Sequence, residues 1–309
     1  MNFLFWTANH SPEGTRTLED PINIISHQLR ALGHKAIYNP NNNELLPKEA
    51  GYNIVVEGFT PGLYEIEGEG GSIGALAKGY ASGARFIILA TEEPTERGFN
   101  YGTEFAFIKR QEMFPHAAKY ADGIIHLVPG DHITKWYSQF APSAYSELGY
   151  APTLIRDFDF EPEWDFGFFG LLSQRRHQIL KRLAKRIRTQ KAVRISASFT
   201  DQADRDHQMR EAKVIIQIRK NDKMGLVSSS RCNTALCIGR PVLAEPHNLS
   251  KPWDEIIQFA SSLDSFYDQA LIMRASWKGV HANQLAKFKE RLSPEKCIGK
   301  ALREIGICQ

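Results

Sequence analysis

Short apolar runs and amphipathic stretches alternate along almost the whole chain. In the first half, runs of strand length rich in Ile, Val, Leu and Phe are separated by segments with helical spacing. The predicted strands are Asn2–Trp6, Lys35–Tyr38, Asn53–Glu57, Arg85–Ala90 and Gly123–Leu127, and the predicted helices are Leu18–Leu32, Ser72–Ser82, Thr103–Tyr120 and Thr134–Phe140. This order is typical of a parallel sheet covered by helices on both faces.

A second alternating set follows Phe158–Trp164, a proline-containing stretch without periodicity that indicates a linker. Its predicted strands are Asp165–Phe169, Val193–Ala197, Lys213–Ile218 and Pro241–Ala244, and its predicted helices are Arg175–Arg188, Gln202–Glu211, Cys232–Ile238, Trp253–Phe259, Ser265–Ala275, Ala282–Arg291 and Pro294–Ile305. We therefore predict an α/β protein with two tandem Rossmann-like, doubly wound domains. The first covers residues 1–157, the second covers 165–280, and helices occupy 281–309.

Composition indicates a globular protein and argues against nucleic-acid binding, export and a zinc site. With 309 residues, 42% hydrophobic and 24% charged, the chain has the make-up of a soluble globular protein with room for two cores. A net charge of +3 is too small to indicate a nucleic-acid partner. The first residues lack the marks of a signal peptide, and the four cysteines show neither CxxC nor zinc-ligand spacing. We expect a cytoplasmic protein with reduced thiols and no bound metal.

The segment Ser228–Glu245 carries the strongest chemical signal. It joins a serine-rich stretch, a short helix, a glycine, a buried strand and a terminal carboxylate. Ser229 or Ser230 is expected to cap the helix, and Arg231 adds a planar cation beside N–H groups that attract anions. Glu245 falls at the carboxyl edge of the sheet, where open α/β proteins place ligand contacts. The segment indicates a pyrophosphate site, and the alternative is an ordinary capped helix packed on a strand.

Further candidates for donor contacts lie at the same predicted edge. Arg175 and Arg176 begin a strongly basic helix, and Lys220 with Asn221 follows a strand, while Asn233 and Thr234 lie in the short helix. The basic helix is interpreted as a solvated face with apolar residues inside, or as a surface attracted to anionic lipid at the inner face of a membrane. The turn around Lys220 either binds phosphate or is a polar loop.

Two consecutive α/β domains with an anion-binding loop in the second resemble the GT-B glycosyltransferases. Asp165–His177 is similar to the "F-x-G-x-x-x-x-R" opening of their C-terminal domain, and Ser228–Glu245 is similar to their "S-x-R-x-x-E-A-x-x-x-G-x-P-V" stretch. The final helices resemble those that cross back onto the N-terminal domain in that fold. Two departures stand out, since the helix Cys232–Ile238 lacks the glutamate of retaining members and the loop after the first strand is reduced to Ser11–Gly14.

The resemblance implies that an acceptor binds in the first domain and is deprotonated there. His10 and Glu13 are predicted in the loop after the first strand, and a histidine in the matching loop takes the acceptor proton in some inverting members of the fold. Glu92 and Glu93 follow the strand Arg85–Ala90, where a carboxylate would act as a base or bind sugar hydroxyls. For each of these residues the alternative is a role in a surface loop or turn.

The function predicted is transfer of a sugar from a nucleotide diphosphate donor to a hydroxyl of a glycan, lipid-linked or small-molecule acceptor. The resemblance implies that no metal or other cofactor takes part. Two alternatives stay open: a two-lobed protein that binds a sugar or nucleotide without chemistry, and a sugar-nucleotide epimerase of related topology.

Overall fold

Both sheets of the protein are parallel at every strand pairing among the described residues. The computed structural model describes residues 1–7, 12–39, 44–59, 71–101, 105–156, 161–187, 191–196, 199–219, 227–246 and 251–308. The chain divides into two compact units, one of residues 1–151 with 294–309 and the other of residues 152–293.

The first unit is built on a six-stranded sheet. Its strands are β1 (Asn2–Trp6), β2 (Lys35–Tyr38), β3 (Tyr52–Val56), β4 (Phe86–Ala90), β5 (Gly123–His126) and β6 (Ser143–Tyr145), in the spatial order β2-β1-β3-β4-β5-β6. Its helices are α1 (Pro12–Ala31), α2 (Gly71–Ala81), α3 (Phe105–Ala118), α4 (Asp131–Tyr137) and the terminal α10 (Lys300–Glu304). Strands β3, β4 and β5 are buried along their whole length, as expected for a parallel sheet with both faces covered.

The second unit repeats this arrangement with five strands. They are β7 (Trp164–Phe169), β8 (Val193–Ser196), β9 (Ala212–Gln217), β10 (Val242–Ala244) and β11 (Gln258–Phe259), in the spatial order β11-β10-β9-β7-β8. The helices are α5 (Gln174–Ile187), α6 (Gln202–Arg210), α7 (Ser229–Cys237), α8 (Leu263–Ala275) and α9 (Trp277–Arg291). In both units the first strand lies between the second and the third, so both sheets have a switch point beside their first strand.

Helix α5 shows how the pattern of the sequence fixes the packing. Its apolar positions Ile179, Leu180, Leu183 and Ile187 are buried in the core of the second unit, as predicted from their spacing. Burial of each such side chain contributes about 1.5–3 kcal/mol. Among the described residues, no helix combines the length and the apolar character needed to cross a bilayer.

The predicted helix over 253–259 is wrong. The structure has a 3-10 turn at Trp253–Glu255 and then β11, whose two residues pair with Leu243 and Ala244 of β10. Strand β6, which the sequence analysis did not predict, pairs with β5 through only three residues. Both elements are too short to show a period, and distant backbone partners determine their conformation.

Candidate active site

The carboxyl edge of the second sheet brings together four segments of the sequence. Strand β7 ends at Phe169, and Gly170 follows with a φ of +143°, a conformation that side chains disfavour. The turn after it leads into the first residues of α5. Strand β9 ends beside β7 and strand β10 ends beside β9, and α7 begins after the undescribed residues 220–226.

Glu245 is the buried centre of this edge. It directly follows β10 and its exposed fraction is 0%. Arg175 donates from Nη1 to Oε1 of Glu245 over 2.8 Å and from Nη2 to Oε2, and the backbone N–H of Arg219 also donates to Oε1. The carboxylate therefore fixes Arg175 through both of its oxygens. A contact between Glu245 and a sugar or ribose hydroxyl stays a prediction, since in this structure Arg175 occupies both oxygens.

Arg231 lies in the first turn of α7 and reaches the ends of β7 and β9. Its Nη1 donates to Oε1 of Gln217 over 2.6 Å, and its guanidinium lies 5.7 Å from the centre of the Phe168 ring. A Cβ on Gly170 would lie only 2.7 Å from Nη2 of Arg231. The absence of a side chain at Gly170 therefore leaves the room that the Arg231 guanidinium occupies.

The cap predicted for α7 is wrong. Ser228, rather than Ser229 or Ser230, is the capping residue, and it makes no side-chain capping hydrogen bond. Ser229 instead accepts a hydrogen bond from Nε1 of Trp253 over 3.1 Å, and the Ser230 hydroxyl lies 3.4 Å from that of Ser228. The Ser228 side chain therefore leaves the backbone N–H groups at the start of α7, which carry partial positive charge, uncapped.

The other residues predicted to bind the donor differ in their placement. Arg176 donates to the backbone oxygens of Ile218 and Leu171 over 2.9 and 2.7 Å, so it ties α5 to the ends of β7 and β9. Asn233 and Thr234 are buried in the body of α7. Their side chains are closed off from solvent, whereas residues 229–231 in the first turn of α7 are half-buried. Lys220 and Asn221 lie outside the described residues.

The carboxyl edge of the first sheet carries paired acids instead. Glu57 directly follows β3 and Glu92 lies two residues after β4, and both are buried, with exposed fractions of 3% and 8%. Oε1 of Glu57 accepts from the backbone N–H and, over 3.0 Å, from the hydroxyl of Thr91. Oε1 of Glu92 forms an ion pair of 2.7 Å with Arg110 of α3. Two carboxyl groups thus lie at this edge, and Arg110 is paired with that of Glu92.

Burial determines the protonation of this pair. Removal from water raises the pKa of Glu57 to about 8, and the charge of Glu92 contributes to the increase. Burial also raises the pKa of Glu92, and the guanidinium of Arg110 opposes that effect. Under these opposing influences, Glu57 holds a proton in the neutral range and Glu92 beside Arg110 is the carboxyl group that ionises first.

Sequence reasoning found Glu92 but missed Glu57. The same sequence signal was present at Glu57. It follows the apolar run of β3 just as Glu92 and Glu93 follow that of β4. Glu93 is half-buried, and its backbone N–H donates to Oδ1 of Asn100 over 2.8 Å. Arg110 was also missed, because helix α3 brings it to the edge from a distant part of the chain.

The loop placement predicted for Glu13 is wrong, because α1 begins at Pro12 and includes that residue. Proline is favoured at the first position of a helix, which agrees with a start of α1 at Pro12. His10 lies outside the described residues, so its role as a base stays a prediction.

The two parallel α/β units give the chain the GT-B fold of glycosyltransferases. No protein-family model matches the sequence, and no curated protein matches it. Among solved structures it is similar to the DNA-modifying enzyme β-glucosyltransferase, described with and without uridine diphosphoglucose, at 12% identity and a TM-score of 0.54 over 99% of this chain and 100% of that one.

Two further solved structures share the fold. The T4 phage β-glucosyltransferase in complex with UDP and Mn²⁺ has the same 12% identity, TM-score of 0.54 and coverage. A mutant of S. aureus TarM in complex with fondaparinux, α-GlcNAc-glycerol and UDP is 13% identical with a TM-score of 0.52, over 82% of this chain. This chain spans 55% of the length of TarM.

Proposed function

We propose that the protein is a glycosyltransferase that moves a sugar from a nucleoside-diphosphate donor to a hydroxyl acceptor. The observation that carries the proposal is the cationic edge of the second sheet, on a fold shared with enzymes solved in complex with UDP. There Arg175, the Arg231 guanidinium and the start of α7 lie at the ends of adjacent parallel strands. These are the groups that bind a diphosphate.

The chemistry requires positive charge on the leaving group. As the bond from the anomeric carbon to the diphosphate breaks, its electron pair passes to the diphosphate, and fixed cations stabilise the added charge. Glu245 holds Arg175 in place before the donor arrives, so little reorganisation is needed. In this proposal arginines and backbone N–H groups supply the positive charge without a metal.

Among the candidate bases that the structure describes, Glu92 is the one that we assign to take the proton of the acceptor hydroxyl. Its Oε2 is buried and has no hydrogen-bond partner within the described part of the chain, while Oε1 is held by Arg110. An oxygen with unused lone pairs is what a general base offers to a hydroxyl. The role of His10 remains a prediction alongside this assignment.

The exposed cations of α5 are interpreted as a solvated face. Arg186 forms ion pairs of 3.3 and 3.0 Å with Asp264 and Asp268 of α8, and its guanidinium lies 4.8 Å from the centre of the Tyr267 ring. Such pairing lowers the net charge that α5 would offer to a lipid surface. Salt-sensitive binding to phosphatidylserine vesicles, lost when Lys181 and Lys185 are replaced by alanine, would instead favour peripheral contact with a membrane.

The proposal is tested by calorimetric titration with UDP, ADP and GDP. At least one of them is expected to bind, and Arg231→Ala should weaken that binding by roughly 10- to 100-fold, the loss of a charge-assisted hydrogen bond of about 1.5–3 kcal/mol. Lys181→Ala removes the same charge from the exposed side of α5 and should leave the affinity unchanged. A protein that binds none of the three nucleotides would contradict the proposal.

Donor turnover separates catalysis from the alternatives. A glycosyltransferase is expected to release the nucleotide from UDP-glucose, or from the ADP or GDP sugar that matches the bound nucleotide, with and without EDTA. A binding protein would leave every donor intact, and an epimerase would change the sugar without releasing the nucleotide. Loss of turnover on addition of EDTA would overturn the metal-independent form of the proposal.

A further inference from the structure

Tyr137 connects the two buried acids of the first sheet. Its hydroxyl lies 2.8 Å from the backbone oxygen of Glu92 and 3.2 Å from Oε2 of Glu57. A tyrosine hydroxyl has a single hydrogen, and the shorter contact to the Glu92 oxygen uses it. A hydrogen bond between Tyr137 and Glu57 therefore needs a second hydrogen, which must come from Glu57.

The other oxygen of Glu57 fits the same assignment. Oε1 is the acceptor of both Thr91 donors, so it carries no proton. A neutral Glu57 thus accepts at Oε1 and donates from Oε2, which satisfies its contacts with both Thr91 and Tyr137. An ionised Glu57 would place a bare oxygen beside a Tyr137 oxygen whose hydrogen is already used.

The charged and titratable groups around Glu57 favour the neutral form. Arg110 is paired with Glu92, and within the described ranges no arginine or lysine forms an ion pair with Glu57. The His126 ring stacks 5.5 Å from that of Tyr137, and burial lowers the pKa of His126 to about 4, which leaves the imidazole uncharged. His126 therefore supplies no positive charge that would offset the burial of Glu57.

We infer that Glu57 is a neutral carboxylic acid that positions Glu92 through Thr91 and Tyr137, and that Glu92 is the ionised carboxylate of the pair. Glu57 is thus a positioning residue. The inference deepens the proposed function and rests on it for the last step, in which the acceptor hydroxyl gives its proton to Oε2 of Glu92. The acceptor oxygen then bonds to the anomeric carbon, and the electron pair of the broken bond leaves with the diphosphate.

Infrared spectroscopy tests the proton assignment without any donor or acceptor. The full chain in heavy water at neutral pH should show the carbonyl band of a protonated, buried carboxyl group. Glu57→Gln should remove the band, whereas Glu92→Gln and the half-buried control Glu93→Gln should keep it. Absence of the band from the unmodified protein, or its loss in Glu92→Gln and not in Glu57→Gln, would overturn the inference.

A second variant keeps the test decisive if Glu57→Gln does not fold. Tyr137→Phe removes the oxygen that accepts the Glu57 hydrogen, so the frequency of the carboxyl band should shift. An unchanged frequency would show that the protonated group does not contact Tyr137, and the inference would be wrong.

Turnover distinguishes a positioning role from a merely structural one. Glu57→Gln keeps one donor and one acceptor and should retain turnover within about tenfold, while Glu92→Gln should lose roughly 10²- to 10⁴-fold, the usual contribution of a general base. The decline of turnover at alkaline pH caused by ionisation of Glu57 should disappear in Glu57→Gln. Equal losses in the two variants would overturn the division of roles. Absence of turnover with every donor, beside an intact infrared result, would contradict the proposed function and leave the proton assignment standing.

Discussion

The two sheets share one strand order but present opposite chemistry at their carboxyl edges. In the second sheet one buried acid, Glu245, is paired with Arg175 and contacts Arg219. In the first sheet two buried acids, Glu57 and Glu92, lie at the edge, and Arg110 is paired with Glu92. The topology decides where loops converge, and the residues on those loops decide whether the edge attracts an anion or holds a proton.

The ratio of acids to arginines explains the difference. In the second sheet Arg175 compensates the charge of Glu245, and Arg231 adds a further positive charge at the same edge. Where acids outnumber the arginine, burial makes a second negative charge costly, so one carboxyl group keeps its proton. The four predictions below test this comparison in order of decreasing effect.

The largest effect concerns pH and stability at the first edge. Because the folded state raises the pKa of Glu57 from 4.5 to about 8, the folded protein binds a proton that the unfolded chain has released. The stability from this proton is complete below pH 4.5 and is lost as the pH rises through about 8, by roughly 5 kcal/mol at about 1.4 kcal/mol for each unit. Urea unfolding across this range should show the decline.

The matched variants isolate the group responsible for that decline. Glu57→Gln should flatten the dependence of the unfolding free energy on pH, since glutamine does not titrate. Glu93→Gln should keep the slope of the unmodified protein. A slope that survives in Glu57→Gln would mean that another group takes up the proton.

At the second edge, Glu245→Ala should lower the free energy of unfolding by about 3 kcal/mol. The variant leaves the largely buried Arg175 without its carboxylate, and breaking a buried ion pair on one side is strongly destabilising. Glu163→Ala removes an exposed acid paired with Lys191 over 2.7 Å and serves as the control, with no measurable change expected. Equal unfolding midpoints for the two variants would refute the anchoring role of Glu245.

Gly170→Ala should disturb the position of Arg231. The new Cβ would lie 2.7 Å from Nη2, so the guanidinium must move, and we expect UDP affinity to fall roughly tenfold, or about 1.4 kcal/mol. Gly239→Ala is the control, because Gly239 also has a positive φ, of +86°, but a Cβ there meets nothing within 4 Å. Equal UDP affinities in the two variants, measured by calorimetry, would argue against a role for Arg231 in binding.

The smallest effect is expected on the outer face of α5. Arg186→Ala removes an exposed cation and should change the free energy of unfolding by no more than about 0.5 kcal/mol, because solvent screens its pairs with Asp264 and Asp268. A loss near that of Glu245→Ala in urea unfolding would show that the outer face contributes more to stability than exposure suggests.

The sequence predicted the fold better than the site. Long periodic segments such as α5 and buried strands such as β4 carry their own signal, and their predicted bounds differ from the observed ones by one residue at most. The two-residue β11 depends on pairing with β10, so the local pattern of residues 253–259 indicated a helix instead. The helix start at Pro12 was also missed, which moved Glu13 out of its predicted loop.

Within the candidate site, the position of a residue in the fold was easier to predict than its hydrogen-bond partner. The placement of Arg175 and Arg231 at the carboxyl edge was predicted because both lie at helix starts that follow a strand, and their role in binding an anion stays a prediction. The pairing of Arg175 with Glu245 could not be predicted, because 70 residues separate them and only the sheet brings them together. The Glu57–Tyr137 contact spans 80 residues and was missed for the same reason.

The central claim is that a nucleoside diphosphate binds the cationic edge of the second sheet and not the acidic edge of the first. Hydrogen–deuterium exchange of the full chain with and without UDP tests it most directly, or with ADP or GDP if that is the nucleotide bound. We expect slower exchange over residues 170–176 and 228–232, and unchanged exchange over residues 57–59 and 91–93. Protection confined to the first sheet, or protection unaltered in Arg231→Ala at the same nucleotide concentration, would contradict it.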